Sequence, residues 1–274
     1  MVNDMKGVLL KGTVLILYMG MIWQCSTVPI TGRKQVNLLP ESEMVSMGIS
    51  SYQAFLDTTA AVTRGIEQAL VKKVGRKIAA AVENFLRENK LNDRLRYFDW
   101  EFHLVDNEVP NAWCMPGGKV VFYTGILPYC RDEKGIAVVM GHEIAHAVAR
   151  HGNERMSQAL LVQTGGVVLS VAIDQKPEET RQWFMAAYGI TSSLGVILPY
   201  SRVHETEADR LGMIFMAMAG YNPESAIDFW ERMAAAGSQK LPEFLSTHPS
   251  DEKRIRDMKA FLPKAMKYQS VHSE

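Results

Sequence analysis

The five residues His142-Glu143-Ile144-Ala145-His146, set in a helical run from Val138 to Arg150 with apolar flanks, constrain this chain more than any other feature. On a helix, residues four apart lie on one face a turn apart, so the two imidazoles converge on a single point. Zinc accepts histidine nitrogen at about 2.0–2.1 Å, and a catalytic zinc takes three protein ligands and leaves a fourth position for water. A third ligand must therefore come from elsewhere in the fold. Glu143, one step along the helix, is turned away from the point where the imidazoles meet. It still reaches a water there, which suits it to be the general base. A purely structural zinc site has no use for a glutamate between its ligands and fills all four positions, most often with cysteine and histidine.

The richest segment for the third ligand is Tyr200 to Asp209, where Glu205 and Asp209 stand four apart on an expected helix. Sharing a face, Glu205 can bind the metal while Asp209 accepts the outer N–H of a ligating histidine and fixes its tautomer. Glu207 reads as a solvated charge. His204, about 100° around the helix from Glu205, reads as a surface or packing residue. Residue types alone do not rank Glu205 above Glu207. His103, His151 and His272 read as structural or surface residues, His151 because it follows His146 by five, falls off the metal-facing stripe and has no partner in view.

Around this constellation the chain reads as α+β and mostly helical, with a small sheet. Its 274 residues, 47% hydrophobic and 22% charged, suffice for a real core. Thirty basic residues balance thirty acidic ones, so nothing marks the chain for nucleic acid or an anionic surface. Three cysteines without a CxxC spacing make neither a disulfide framework nor a structural metal site; Cys114 and Cys130 either pair or remain buried thiols. Lys6 and Lys11 precede an uncharged run, Gly12 to Trp23, of signal-peptide length. Cys25 follows at the position where a bacterial lipoprotein is cleaved and acylated; a plain signal peptide or a short uncleaved anchor are the other readings, and all three place the body outside the cytoplasm. The expected organisation is an anchor over 1–25, a linker and N-terminal segment over 26–64, a domain carrying the zinc site over 65–265 and a tail over 266–274. Within it, Ser26 to Glu41 reads as an extended connection and Gly65 to Asn89 as an amphipathic helix with Ile66, Leu70, Val74, Ile78, Val82 and Phe85 inward. Trp100 to Val105 and Val120 to Tyr123 read as strands around a turn-rich Asp106 to Gly118. One helical stretch is expected from Glu133 to Arg155, and further helices to about Leu262. The apolar stretches Leu160 to Ile173 and Phe184 to Leu198 are too short to span a bilayer and read as a buried helical hairpin.

These residues resemble the HtpX-type and CAAX-prenyl-protease family of gluzincin zinc metallopeptidases, in its Oma-type and BepA-like branch. The resemblance rests on Thr31-Gly32-Arg33, Asn111-Ala112-Trp113 with Pro116-Gly117-Gly118, Gly141 to His146, Ser201-Arg202 leading to Glu205 and Ala208-Asp209, and Thr247-His248-Pro249 before Arg254-Ile255. It implies one Zn2+ per chain held by His142, His146 and Glu205, which ranks Glu205 over Glu207. It also implies a compact domain whose edge strand, near Asn111, Ala112 and Trp113, aligns a peptide substrate by strand addition. His248 is placed near the metal, to complete its coordination in a latent enzyme or to stabilise an oxyanion; the alternative is a plain helix-entry residue before Pro249. The implied setting is the cell envelope, periplasm-facing and membrane-anchored through lipidated Cys25. Ser26 after that cysteine permits outer-membrane sorting in a Gram-negative cell. Implied partners are misfolded or unassembled protein substrates and the envelope assembly machinery. A chaperone with a latent zinc site is the second reading.

Overall fold

The computed structural model describes residues 25–164, 180, 184–185, 187–188, 201–236, 244, 247–248 and 252–271. The signal-like run 12–23, residues 165–173, most of 184–198 and His272 lie outside the described residues. Among the described residues no helix is long and apolar enough to cross a membrane.

Strand β1 (Cys25–Thr27) pairs antiparallel with β2 (Lys34–Val36), and α1 (Glu41–Thr58) and α2 (Ile66–Glu88) follow. Three further strands, β3 (Glu101–Val105), β4 (Ala112–Met115) and β5 (Lys119–Tyr123), form a sheet in the order β3-β5-β4. In it β3 runs parallel to β5 and β4 antiparallel. The longer helices α3 (Glu133–Val148), α4 (His151–Thr164), α5 (Arg202–Met218), α6 (Ser225–Ala236) and α7 (Glu252–Val271) follow, and short helical turns cover Asn92–Tyr97, Thr124–Ile126 and Leu127–Cys130.

Alternation along the strands sends side chains to opposite faces, and here both faces are covered. Phe102, Leu104, Ala112, Cys114, Val120 and Phe122 belong to the core built with α2, α3 and α5. Trp113, Met115, Val121 and Tyr123 join Met44 and Tyr52 of α1 and Met156 and Leu160 of α4 on the other side. Double coverage explains why β5 reads as an unbroken apolar run rather than an alternating one. In α2 the inward stripe is as expected from Val74 to Phe85, all fully buried, whereas Ile66 in the first turn is 88% exposed. Cys114 and Cys130 are free, buried thiols whose pKa is pushed up by burial, so they are poor nucleophiles.

Two expectations are corrected. Ser26 to Glu41 is not an extended connection. It folds as a hairpin whose turn uses Gly32 at a φ of 66°, closed by hydrogen bonds between Val28 and Arg33 and between Gly32 and Val28. Two of its nonpolar residues reach the core, Val28 at 1% and Leu39 at 4% exposed, while Val36 on the hairpin is 40% exposed. In the stretch where an edge strand is expected near Asn111 to Trp113, β4 lies at the sheet edge and joins β5 through Gly117 and Gly118 at φ of 91° and 76°, a conformation open to glycine. The helix expected from Glu133 to Arg155 is two helices. Arg150, in the left-handed region at a φ of 60°, breaks it, and its Nε pairs with Glu41 at 2.7 Å. At the other end α7 runs past Leu262 to Val271, with Pro263 on its exposed side.

Helix α3 is buried on every side from Gly135 to Val148, which fits its nearly all-round apolar sequence, and Asp132 caps it by accepting from Gly135 N. It crosses α5 at two glycines: a Cβ on Gly212 would lie 3.1 Å from Gly141 C and His142 N, and one on Gly141 would lie 3.1 Å from Gly212 O. Because the neighbours are backbone atoms, only the helices themselves can yield. Gly212→Ala is therefore expected to cost about 1–3 kcal/mol in urea unfolding, as overpacking does, and to weaken metal binding by spreading α3 from α5. Wild-type stability and affinity in this variant would show that the crossing is not tight.

Candidate metal centre

The crossing of α3 and α5 sets His142 and His146 opposite Glu205 and Asp209. Ser201 starts α5 by accepting from His204 N, which fixes where its first carboxylate falls. His142 Nε2 lies 3.1 Å from His146 Nε2 and 3.4 Å from Glu205 Oε2, and His146 Nε2 lies 3.4 Å from Glu205 Oε1. His248 Nδ1 lies 3.1 Å from both His142 Nε2 and Glu205 Oε1. One ligand atom from each of these four buried residues falls within 4.8 Å of the others. Ligand atoms on a tetrahedral zinc with bonds of about 2.0–2.1 Å stand ~3.3–3.4 Å apart, so the donor set has the size and chemistry of a zinc site.

The surroundings orient these donors. Asp209 Oδ1 is 3.0 Å from His142 Nδ1, which directs the lone pair of Nε2 inward. Arg254 pairs with Glu205 Oε2 at 2.8 Å and takes both oxygens of Asp209, Nε to Oδ2 at 2.7 Å and Nη2 to Oδ1 at 2.8 Å. Its guanidinium lies over the Trp230 ring, 3.4 Å from the centroid, and the same indole meets His142 edge-on. Phe244 stacks between Trp230 and His248, while its N–H donates to Pro110 O just before β4. The segment that carries His248 is thereby tied to the edge of the sheet.

Electrostatics follows from this packing. Burial pushes the Glu205 carboxyl up, but His248, Arg254 and the hydrogen bonds of the two ligand-type histidines outweigh it and hold Glu205 well below the usual carboxylate range. Burial holds His146 well below its ordinary value, which leaves it neutral with a lone pair for a metal. Glu143 differs: burial raises its pKa above the ordinary range, with His248 and His142 acting against the rise. Its Oε1 makes no hydrogen bond and lies 3.5 Å from His248 Nε2.

All six residues singled out around the histidine pair, His142, Glu143, His146, Glu205, Asp209 and His248, meet at this point. Ala112 and Trp113 lie in β4 at the sheet edge with Asn111 just before it, and Cys25 opens β1, its backbone opposite Val36. Two readings are corrected. Glu207 is not a solvated charge: it is 2% exposed, bonded to Thr31, Arg33 and His151. His151 is fully buried and has partners, His146 at 2.9 Å and Glu207 at 3.1 Å, because the break at Arg150 swings it back over His146. His204 packs inside, stacked on His151 and 3.0 Å from Glu154 Oε2. Sequence reasoning gave no role to Arg254 or Trp230; a lone arginine on a helix face carries no spacing signal.

The family model of Peptidase family M48 matches residues 71–262. The mitochondrial metalloendopeptidase OMA1 of Schizosaccharomyces pombe is 40% identical over 168 residues, 61% of this chain and 48% of that protein. The mitochondrial metalloendopeptidase OMA1 of Homo sapiens is 29% identical over 257 residues, 89% of this chain and 47% of that protein. The beta-barrel assembly-enhancing protease of Escherichia coli (strain K12) is 30% identical over 171 residues, covering 58% and 33%. The chain spans about half the length of the yeast relatives it matches, 48% and 53%. The mitochondrial identity of the yeast and human relatives overturns the placement in a cell envelope as a periplasm-facing, outer-membrane lipoprotein acylated at Cys25. That placement leaned on one cysteine after a short apolar run, a pattern with little physical content. The resemblance read from the motifs is borne out, and with a match covering well over half of its length the chain belongs to Peptidase family M48.

Proposed function

We propose that this chain is a zinc-dependent metalloendopeptidase that cleaves extended or unfolded protein segments. The observation that carries the reading is one buried cluster in which three donors of tetrahedral spacing, from His142, His146 and Glu205, stand beside a carboxylate, Glu143, with an oxygen free of hydrogen bonds. His142, His146 and Glu205 would hold the zinc, which when bound would supply a Lewis acid for the water and the scissile carbonyl. Glu143 takes the proton of the attacking water at its free oxygen and returns it to the leaving amine. Burial favours this exchange by lifting its pKa toward that of a usable acid and base. Asp209 and Arg254 hold His142 and Glu205 in place, so that neither has to reorganise as charge develops. β4 is an edge strand, and strand addition along Asn111 to Trp113, which are 2–3% exposed, would select substrate chains without secondary structure of their own.

Metal analysis with casein as substrate tests this. The reading expects one equivalent of zinc and cleavage that a chelator stops and added zinc restores. A purified chain that takes up no zinc would end it.

A second reading, a folding or assembly factor with a latent site, draws on one observation: His248 Nδ1 stands 3.1 Å from two of the three donors, His142 Nε2 and Glu205 Oε1. Four protein donors make a closed shell of the structural kind. If latency holds, His248→Ala raises casein turnover by about tenfold or more, the equivalent of removing roughly 1.4 kcal/mol of competition. If His248 instead stabilises the oxyanion, the same variant lowers kcat by on the order of 10²-fold.

A further inference from the structure

The two histidines of the α3 pair are oriented by different means. His142 faces a carboxylate directly, Asp209 Oδ1 at 3.0 Å. His146 turns its Nδ1 to the Nδ1 of another histidine, His151, at 2.9 Å, and His151 presents its Nε2 to Glu207 Oε2 at 3.1 Å. Beyond Glu207 comes the N-terminal hairpin. Thr31 Oγ1 donates to Glu207 Oε1 at 2.7 Å, and Arg33 donates from Nε to Oε1 at 3.0 Å and from Nη2 to Oε2 at 2.9 Å. The same guanidinium forks onto Glu154, Nη1 to Oε1 and Nη2 to Oε2, both at 2.8 Å. His151, Glu207 and Glu154 are 0%, 2% and 5% exposed, so water does not stand in for any of these partners.

Hydrogen-bond polarity then runs in one direction. An ionised carboxylate only accepts, so Glu207 obliges His151 to carry its proton on Nε2. A neutral imidazole protonated at Nε2 accepts at Nδ1, so His146 must donate from Nδ1. That leaves the lone pair of His146 on Nε2, which is the atom facing His142 and Glu205. With the opposite tautomers two lone pairs would meet at His151 Nε2 and Glu207, and an N–H would point into the donor cluster.

We propose that Glu207, acting through His151, sets the tautomer of His146, and that Arg33 locks Glu207 in place, which makes the N-terminal hairpin a positioning element of the metal site. The proposal rests on the zinc reading above. It gives a function to a segment whose composition is that of a linker, and to three charged or titratable residues that touch neither metal nor substrate.

Zinc affinity of the full chain, measured by competition with a chromogenic chelator, tests it together with the ¹⁵N shifts of His146 in the zinc-free protein. His151→Phe, which keeps the ring and loses both nitrogens, should weaken zinc binding by on the order of 10–100-fold, the usual effect of removing the partner of a ligating histidine. His151→Gln, whose amide can accept from His146 and donate to Glu207, should stay within about threefold of wild type. Arg33→Met should weaken binding by roughly tenfold without touching either histidine. Zinc affinity of His151→Phe within about twofold of wild type would reduce the relay to packing. Should that variant not fold, the wild-type shifts decide: His146 protonated at Nδ1 supports the proposal, and a proton on Nε2 overturns it. A wild-type chain that binds no zinc would defeat the zinc reading, while the His146 tautomer in that same sample would still test the relay separately.

Discussion

Glu143→Gln is expected to retain one zinc per chain and to lose peptide hydrolysis by about 10³–10⁴-fold in kcat, the upper range for removing a general base. The substitution keeps shape and volume but leaves an amide that cannot take a proton. The site makes this a clean experiment, because Glu143 contributes no ligand atom to the four-residue cluster and its Oε1 is unbonded, so metal binding should not depend on its charge. Zinc content by mass spectrometry and casein cleavage, each on both proteins, give the comparison. Cleavage by Glu143→Gln within tenfold of wild type would remove Glu143 from the role of base. Zinc lost together with activity would show that the residue supports the metal instead.

Arg254→Met should destabilise the zinc-free chain by about 3–5 kcal/mol, the range for stripping one partner from a buried ion-pair network. Arg254 is 5% exposed and is the cation shared by Glu205 and Asp209, themselves 3% and 5% exposed. Methionine fills the space beside Trp230 but leaves both carboxylates without that charge. Each then gains by protonation, so the loss should be larger at neutral pH than at pH 5. Saturating zinc should recover part of it by taking up the charge of Glu205. Urea unfolding with and without zinc measures both effects. Unchanged zinc-free stability would mean that the two carboxylates are neutralised from elsewhere.

The contrast between His146 and His151 shows how far residue spacing reaches. His142 and His146 are legible because both lie on one unbroken helix, where four residues make about a turn, and Glu205 and Asp209 are legible for the same reason. The fold class was readable too, since α2 carries a regular apolar stripe and β5 a short β-branched run. His151 was misread because the same rule was carried across Arg150, where the backbone is left-handed and the helix ends. Glu207 was misread because a charge two positions from a ligand-type residue points to another face. Whether that face meets water or another chain segment is decided by what packs there, and here it is Thr31 and Arg33 from more than 170 residues earlier.

Local periodicity was enough to encode a helix with two inward imidazoles and a carboxylate between them, a second helix with two carboxylates a turn apart, and a small sheet among helices. How these faces meet depends on long-range packing. The closeness of Gly141 to Gly212 brings the two helices to within ligand distance, Arg254 comes in from α7 to neutralise the carboxylates, and the hairpin of Thr31 and Arg33 closes over Glu207. The physical reason is range. Helical and strand patterns are set by neighbours within a turn or a pleat, whereas a buried charge is acceptable only if an opposite charge arrives from a distant part of the chain.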